Sequence, residues 1–185
     1  MIAVDRQPIE TDVLVAGGGI AGLMAAIHAS REGVEVVVAE KSNTKRSGSG
    51  ATGNDHFLCY IPEVHDGEDM GLILNTIQDS LLGRWNDLSL IHRLLRESFD
   101  RVRDWDEWGI PMRPTGQWEF TGHAFPDRPR LWLKYAGADQ KKVLTKRAKR
   151  AGARIENHLI ITDVITRDGR VVGAIGIGTE QEKPV

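Results

Sequence analysis

Asp12-Val-Leu-Val-Ala16 runs directly into Gly17-Gly18-Gly19-Ile20-Ala21-Gly22, and Val34-Glu-Val-Val-Val-Ala39 follows, with Glu40 at its end. The first run is short and apolar, as a fully buried parallel strand is. Ile20 to Arg31 places Leu23, Met24 and Ile27 at helical spacing and meets a stop at Gly33. The Val34 to Ala39 run is β-branched and reads as a second strand. Strand, helix and strand within about thirty residues make a βαβ unit.

Gly17, Gly19 and Gly22 occupy the three glycine positions of GxGxxG. The first permits the tight turn out of the strand. The second lets a pyrophosphate approach the backbone, and the third lets the helix pack close to the strand. Amides of the first helical turn, with the positive end of the helix dipole, then meet the phosphate charge. On its own GxGxxG is weak evidence, because a glycine turn serves any α/β protein. Here it lies between a strand and a helix, and Glu40 stands where an acid accepts hydrogen bonds from ribose hydroxyls. That context points to a dinucleotide.

Downstream, Asn43 to Gly53 is a Ser/Gly/Thr-rich loop that also holds Lys45 and Arg46. Ser47, Ser49 and Thr52 supply hydroxyl donors, the glycines allow close backbone approach, and the two cations offset phosphate charge. Glu40-Lys41, a spacer and then Arg46-Ser47-Gly48-Ser49-Gly50-Ala51-Thr52-Gly53 resemble the second flavin-contact loop of the succinate dehydrogenase and fumarate reductase flavoprotein superfamily. With Cys59-Tyr60 after it, the pattern is most similar to the α subunit of adenylylsulfate reductase. Many superfamily members carry a flavin-linked histidine after the Arg-Ser pair; Gly48 stands there, so the resemblance implies non-covalent FAD.

It further implies a pyrophosphate held by Gly17, Gly19, Ile20, Ala21 and Gly22, and a ribose held by Glu40 with Lys41 nearby. Arg46, Ser47, Gly48, Ser49, Thr52, Gly53 and Asn54 would run along the phosphate and flavin. The strand from His158 to Ile161 would present backbone groups to the adenine. The implied reaction is two-electron redox, with electrons exchanged with an iron–sulfur partner subunit. The resemblance reaches from the glycine turn to the final hairpin, so the chain is expected to be the amino-terminal part of a longer flavoprotein. The strand that would follow is expected beside Asp12 to Ala16, leaving an open edge prone to self-association. Weak FAD retention, or a catalytically silent fragment, is the rival expectation; an NAD-dependent dehydrogenase is another, against which the Arg46 to Gly53 loop speaks.

The rest of the chain reads as helices and a hairpin. One helix opens at Asp66, with Met70, Ile73, Leu74, Ile77 and Leu81 on a stripe; another runs from about Asp87 through Ile91, Leu94, Leu95, Phe99, Val102 and Trp105 to Gly109 and Pro111. The pair is expected to pack on the βαβ unit. Arg113 to Leu133, with His123 and Phe125, reads as irregular. A third helix, Asp139 to Ala151, is capped by Gly152, and its Lys141, Lys142, Lys146, Arg147, Lys149 and Arg150 read as a solvated face around Val143, Leu144 and Ala148. The stretch through Ile155 and Leu159 to Ile165 turns at Asp168-Gly169 and returns as Val171 to Ile177, a hairpin.

The expected fold class is therefore α/β: a Rossmann-like FAD-binding domain of the glutathione-reductase type, with a parallel sheet, inserted helices and a β-hairpin. Residues 1–185 read as one domain, with a βαβ unit over 11–41, a flavin loop over 42–60, a helical pair over 66–108 and a helix plus hairpin over 137–178. A net charge of -2 gives no general reason for nucleic acid or an anionic membrane as partner. The single cysteine, Cys59, excludes an intrachain disulfide and fits a reducing, cytoplasmic setting. His56-x-x-Cys59 is half a metal pattern without a second ligand pair, and packing beside the cofactor is the plainer reading.

Overall fold

The computed structural model describes residues 8–65, 67–79, 87–121 and 130–178. In chain order the elements are β1 (Val13–Ala16), α1 (Ile20–Arg31), β2 (Val36–Glu40), β3 (His56–Leu58), α2 (Pro62–His65), α3 (Met70–Asp79), α4 (Leu88–Glu107), β4 (Phe120–Thr121), β5 (Trp132–Lys134), α5 (Gln140–Ala151), β6 (Arg154–Asn157), β7 (Leu159–Arg167) and β8 (Arg170–Gly178). They form two compact units, one of residues 1–53 and 139–185, the other of residues 54–138. Asp66, Leu81, His123 and Phe125, which figure in the sequence reading, lie outside the described residues.

The first unit is built on a parallel sheet in the order β1-β2-β6. Val13 pairs with Val36 and Ala16 with Ala39 on one side of β2; Val37 pairs with Arg154 and Glu40 with Asn157 on the other. Every residue of β2 is buried, as a β-branched strand with neighbours on both edges should be. Burying Val36, Val37 and Val38 contributes roughly 1.5–3 kcal/mol each. β1 corrects the expectation of a fully buried strand: Leu14 is 39% exposed, because among the described residues β1 pairs with β2 alone. The second strand starts at Val36 rather than Val34 and carries Glu40 within it. Leu23, Ala26 and Ile27 give α1 its buried stripe, and Leu144 and Ala148 give α5 the same.

The stretch from Ile155 to Ile165, read as one strand, is two. His158 adopts φ +62, a left-handed conformation that breaks the ladder, and its amide bonds the Ser42 carbonyl at 2.9 Å. Before that break β6 belongs to the parallel sheet; after it β7 pairs with β8 as the expected hairpin. Asp168 and Gly169 both have positive φ (+52 and +74), the geometry of the two-residue turn that suits right-twisted strands.

In the second unit β5 lies between β3 and β4, antiparallel to both. The segment read as irregular thus contributes two strands. Ile73 and Ile77 of α3, Leu95 of α4 and Leu131 form the core, with Leu58, Tyr60 and Trp132 packed against it. Met70, Ile73, Leu74 and Ile77 of one helical stripe and Ile91 and Leu95 of the other join this cluster, whereas Leu94 is 44% exposed. Asp87 caps α4, accepting from the amides of Ser89 and Leu90. Gly109, at φ +93, ends it, and the Ile110 amide reaches back to the Trp105 carbonyl at 2.9 Å.

Candidate functional site

The turn from β1 into α1 begins at Gly17, whose φ of +110 favours glycine and whose amide bonds the Ala39 carbonyl at 2.8 Å. A methyl at Gly22 would lie 1.9 Å from the Gly17 carbonyl oxygen, so only glycine lets the helix start this close to the strand. A methyl at Gly19 would meet nothing within 4 Å. Gly19 is the N-cap of α1 and lends no side-chain bond to the helix amides, and the first turn holds no acid. An uncapped helix start with open space before it is what a phosphate group needs.

Gly18 plays a part that the sequence reading passed over. Its amide donates to Oε2 of Glu40 at 2.7 Å, while Oε1 accepts from the Ser42 amide at 2.9 Å. A Cβ at Gly18 would stand 2.4 Å from Cγ2 of Thr44 and 3.1 Å from Glu40 Oε2, so no side chain fits. Glu40 is 4% exposed. Burial acts most strongly and pushes its carboxyl upward. The Ser42 and Gly18 amides, the Ser47 hydroxyl and the Lys141 ammonium together outweigh burial and hold it below its ordinary value. The carboxylate is ionised and clamps the glycine turn to the tip of β2. An ionised carboxylate offers about four acceptor sites, so two amides leave capacity for a hydroxyl.

The loop after β2 folds back over the glycine turn. Gly48 has φ +74, and a Cβ there would come 3.3 Å from the Gly19 Cα. Gly50 is pressed between Ile20 and Gln140: a Cβ would lie 2.4 Å from Ile20 Cδ1. Turns closed by Arg46 to Asn43 (2.8 Å), Ala51 to Gly48 (3.1 Å) and Gly53 to Gly50 (3.2 Å) shape the loop, and the Thr44 amide is tied to Oδ1 of Asn157 at 2.9 Å. The hydroxyl of Thr44 is buried without a hydrogen-bond partner.

Beneath the loop, α5 supplies two polar braces. The Gln140 amide group donates to the Gly50 carbonyl at 3.1 Å, and the Lys141 ammonium donates to the Gly18 carbonyl. Lys141 is 2% exposed, a correction to its reading as part of a solvated face. Burial pushes its ammonium below the usual value and the Glu40 carboxylate partly restores it. Gln140 and Lys141 carried no signal in the sequence, where a lysine in a basic helix looks like any surface lysine.

Of the expected site residues, Gly17, Gly19, Ile20, Ala21, Gly22, Glu40, Ser47 and Gly48 gather around the glycine turn. Ser47 is buried, with its hydroxyl 3.4 Å from the Gly18 carbonyl. Lys41, Arg46, Ser49 and Thr52 are exposed on the loop, and Gly53 ends it. Ile161 sits on β7, paired with Gly176 beside a bulge. Asn54 belongs to the second unit. There, Cys59 is fully buried and its thiol is pushed up to about 12 by burial, which leaves it protonated and a poor metal ligand.

The open space at Gly19, the uncapped helix start and the orphaned Thr44 hydroxyl fit a nucleotide diphosphate.

Comparison with known proteins agrees with this geometry. The family described as FAD binding domain matches residues 12–183. One of the subunits of the fumarate reductase (CoM/CoB) of Methanothermobacter marburgensis is 28% identical over 201 residues, covering 98% of this chain and 34% of that protein. The chain thus spans about a third of the length of that curated relative. Among solved structures, adenylylsulfate reductase of Archaeoglobus fulgidus superposes with a TM-score of 0.73 at 23% identity, over 95% of this chain and 28% of that one. A quinol fumarate reductase of E. coli gives 0.76 at 17% identity, over 94% and 30%. A 3-ketosteroid dehydrogenase of Rhodococcus jostii gives 0.72 at 21%, over 97% and 44%. At such identities these likenesses speak for the fold.

Proposed function

The chain belongs to the FAD binding domain family, and on that premise we propose that it is the FAD-holding part of a flavoprotein oxidoreductase of the fumarate reductase, succinate dehydrogenase and adenylylsulfate reductase kind. The observation that carries this is the empty approach to Gly19 at the uncapped start of α1, with the ionised Glu40 beside it. Backbone amides from Gly19 to Gly22 hold the pyrophosphate of the cofactor. Glu40, already locked by Gly18 and Ser42, accepts from the ribose, and Lys41 lies next to it. The loop from Arg46 through Ser47, Gly48, Ser49, Thr52 and Gly53 to Asn54 runs along phosphate and flavin, and the backbone near Ile161 serves the adenine. With glycine at position 48 the cofactor is held non-covalently.

Bound FAD supplies two-electron redox chemistry, and this chain's share is to bind, orient and electrostatically tune it. In the whole protein an iron–sulfur subunit exchanges electrons with the flavin.

Titration of flavin fluorescence with the purified chain tests the cofactor assignment. FAD should bind saturably, with ADP competing and NAD failing to match it. Gly19→Val should keep the circular dichroism and melting of the parent, since the added side chain meets no protein atom at Cβ, while weakening FAD at least tenfold. A folded chain that binds no FAD, or a Gly19→Val variant that binds it as well as the parent, would falsify the assignment.

A further inference from the structure

A groove of about 610 Å³ runs between the loop after β2 and the outer side of α5. Lys45 and Arg46 line it from the loop, and Lys142, Lys146, Lys149 and Arg150 from the helix. Gly17 to Gly22 and Glu40 are not among its lining residues; Arg46, at the start of the loop assigned to the cofactor, is the one residue it shares with that assignment. α5 therefore has two polar sides. Gln140 and Lys141 are buried and brace the glycine turn, whereas the four cations further along the helix face the groove.

The charge in this groove is largely uncompensated. Among the described residues Lys142 is paired, to Asp139 at 2.6 Å, while Lys45, Arg46, Lys146, Lys149 and Arg150 have no ion pair. A cationic helix face that is merely solvated usually carries acids at helical spacing to offset it; this one does not, and a separate loop adds two more cations to it. Thr145 makes the second observation. It lines the groove, is 2% exposed, and its hydroxyl has no hydrogen-bond partner, not even the preceding helical turn. A buried hydroxyl without a partner is costly unless something supplies one.

We propose that this groove is a second anion site, separate from the dinucleotide cradle, for a small ligand bearing several phosphate groups. Lys142, Lys146 and Lys149 or Arg150 succeed one another by about one turn, ~5.4 Å, a spacing that suits a chain of phosphates. Lysine and arginine are the side chains that take phosphate oxygens in charge-assisted bonds, and the Thr145 hydroxyl donates to another. The volume is that of a small-molecule site. The lining contains no aromatic residue, so it offers no stacking platform for nucleic acid bases and no aromatic anchor of the kind protein interfaces use. This inference does not rest on the cofactor assignment.

Isothermal titration of the whole chain with sodium tripolyphosphate and with inorganic phosphate, at fixed ionic strength, tests it. Tripolyphosphate should bind at one saturable site at least tenfold more tightly than phosphate, and saturating FAD should leave that affinity within twofold. Lys146→Glu with Lys149→Glu should weaken it at least tenfold. Arg167→Glu with Arg170→Glu, an equal charge change at the exposed hairpin turn, should leave it within twofold. Thr145→Val should weaken it several-fold without lowering the melting temperature. The proposal is overturned if FAD displaces tripolyphosphate, if the hairpin variant loses as much as the groove variant, if Thr145→Val raises stability and leaves binding intact, or if hexaglutamate binds more tightly than tripolyphosphate, which would make the groove a docking face for an acidic protein.

Discussion

The amide of Gly18 donates to Oε2 of Glu40 at 2.7 Å, tying the turn between the first strand and first helix to the tip of the neighbouring strand. One carboxylate therefore does two jobs: it shapes the glycine turn and presents an acid beside it. Lys141, bonded to the carbonyl of the same Gly18, completes the clamp from a third element. The variants below separate these contributions.

Glu40 should make stability depend on acid. Its carboxyl sits below the ordinary value of 4.5 in the fold, so its contribution is complete well above pH 4.5 and drains away as pH falls through the lower folded value. Glu40→Gln keeps an acceptor for Gly18 and loses the charge. At pH 7 the variant should be about 1–3 kcal/mol less stable. Urea unfolding at pH 7, 5 and 4 checks this: the gap should narrow toward acid, and a gap constant with pH would refute the assignment.

Lys141→Met removes the buried ammonium and leaves the Gly18 carbonyl without that donor. The cost should again be about 1–3 kcal/mol. Because Glu40 and Lys141 hold opposite ends of one peptide region and attract each other, the double variant with Glu40→Gln should show a coupling of about 0.5–3 kcal/mol. Simple additivity in denaturant unfolding would show that the two act independently.

Gly22→Ala drives a methyl to within 1.9 Å of the Gly17 carbonyl oxygen, and relief requires moving the helix or the strand. Overpacking of this kind costs about 1–3 kcal/mol. Gly19→Ala, with nothing within 4 Å, should cost less. Thermal melts of the two variants should therefore rank Gly22→Ala below Gly19→Ala, and the reverse order contradicts the close helix–strand approach.

Among the described residues β1 pairs with β2 alone, and Leu14 on that edge strand is 39% exposed. An edge of this kind templates further pairing. Sedimentation velocity should show concentration-dependent self-association, and Leu14→Lys should shift it toward monomer. Monomeric behaviour of the parent chain across the concentration range would rule this edge out.

The local signals were legible where the chain's own geometry demanded particular residues. Gly17 and Gly22 declared the tight turn and the close packing, Asp168-Gly169 declared the hairpin, and Asp87 and Gly152 bounded their helices, because each position tolerates few residue types. The glycines of the loop after β2 were legible for the same reason, since a side chain at Gly48 or Gly50 would meet close neighbours. What the sequence could not show is set by neighbours distant along the chain. That His158 breaks a continuous β-like run, and that Lys141 is buried under Gly18 while Lys142 beside it faces a groove, both depend on which element packs where. A lysine's burial and a strand's neighbours are properties of long-range packing, and consecutive helical residues point about 100° apart, so adjacent lysines acquire opposite roles only once the helix has been docked.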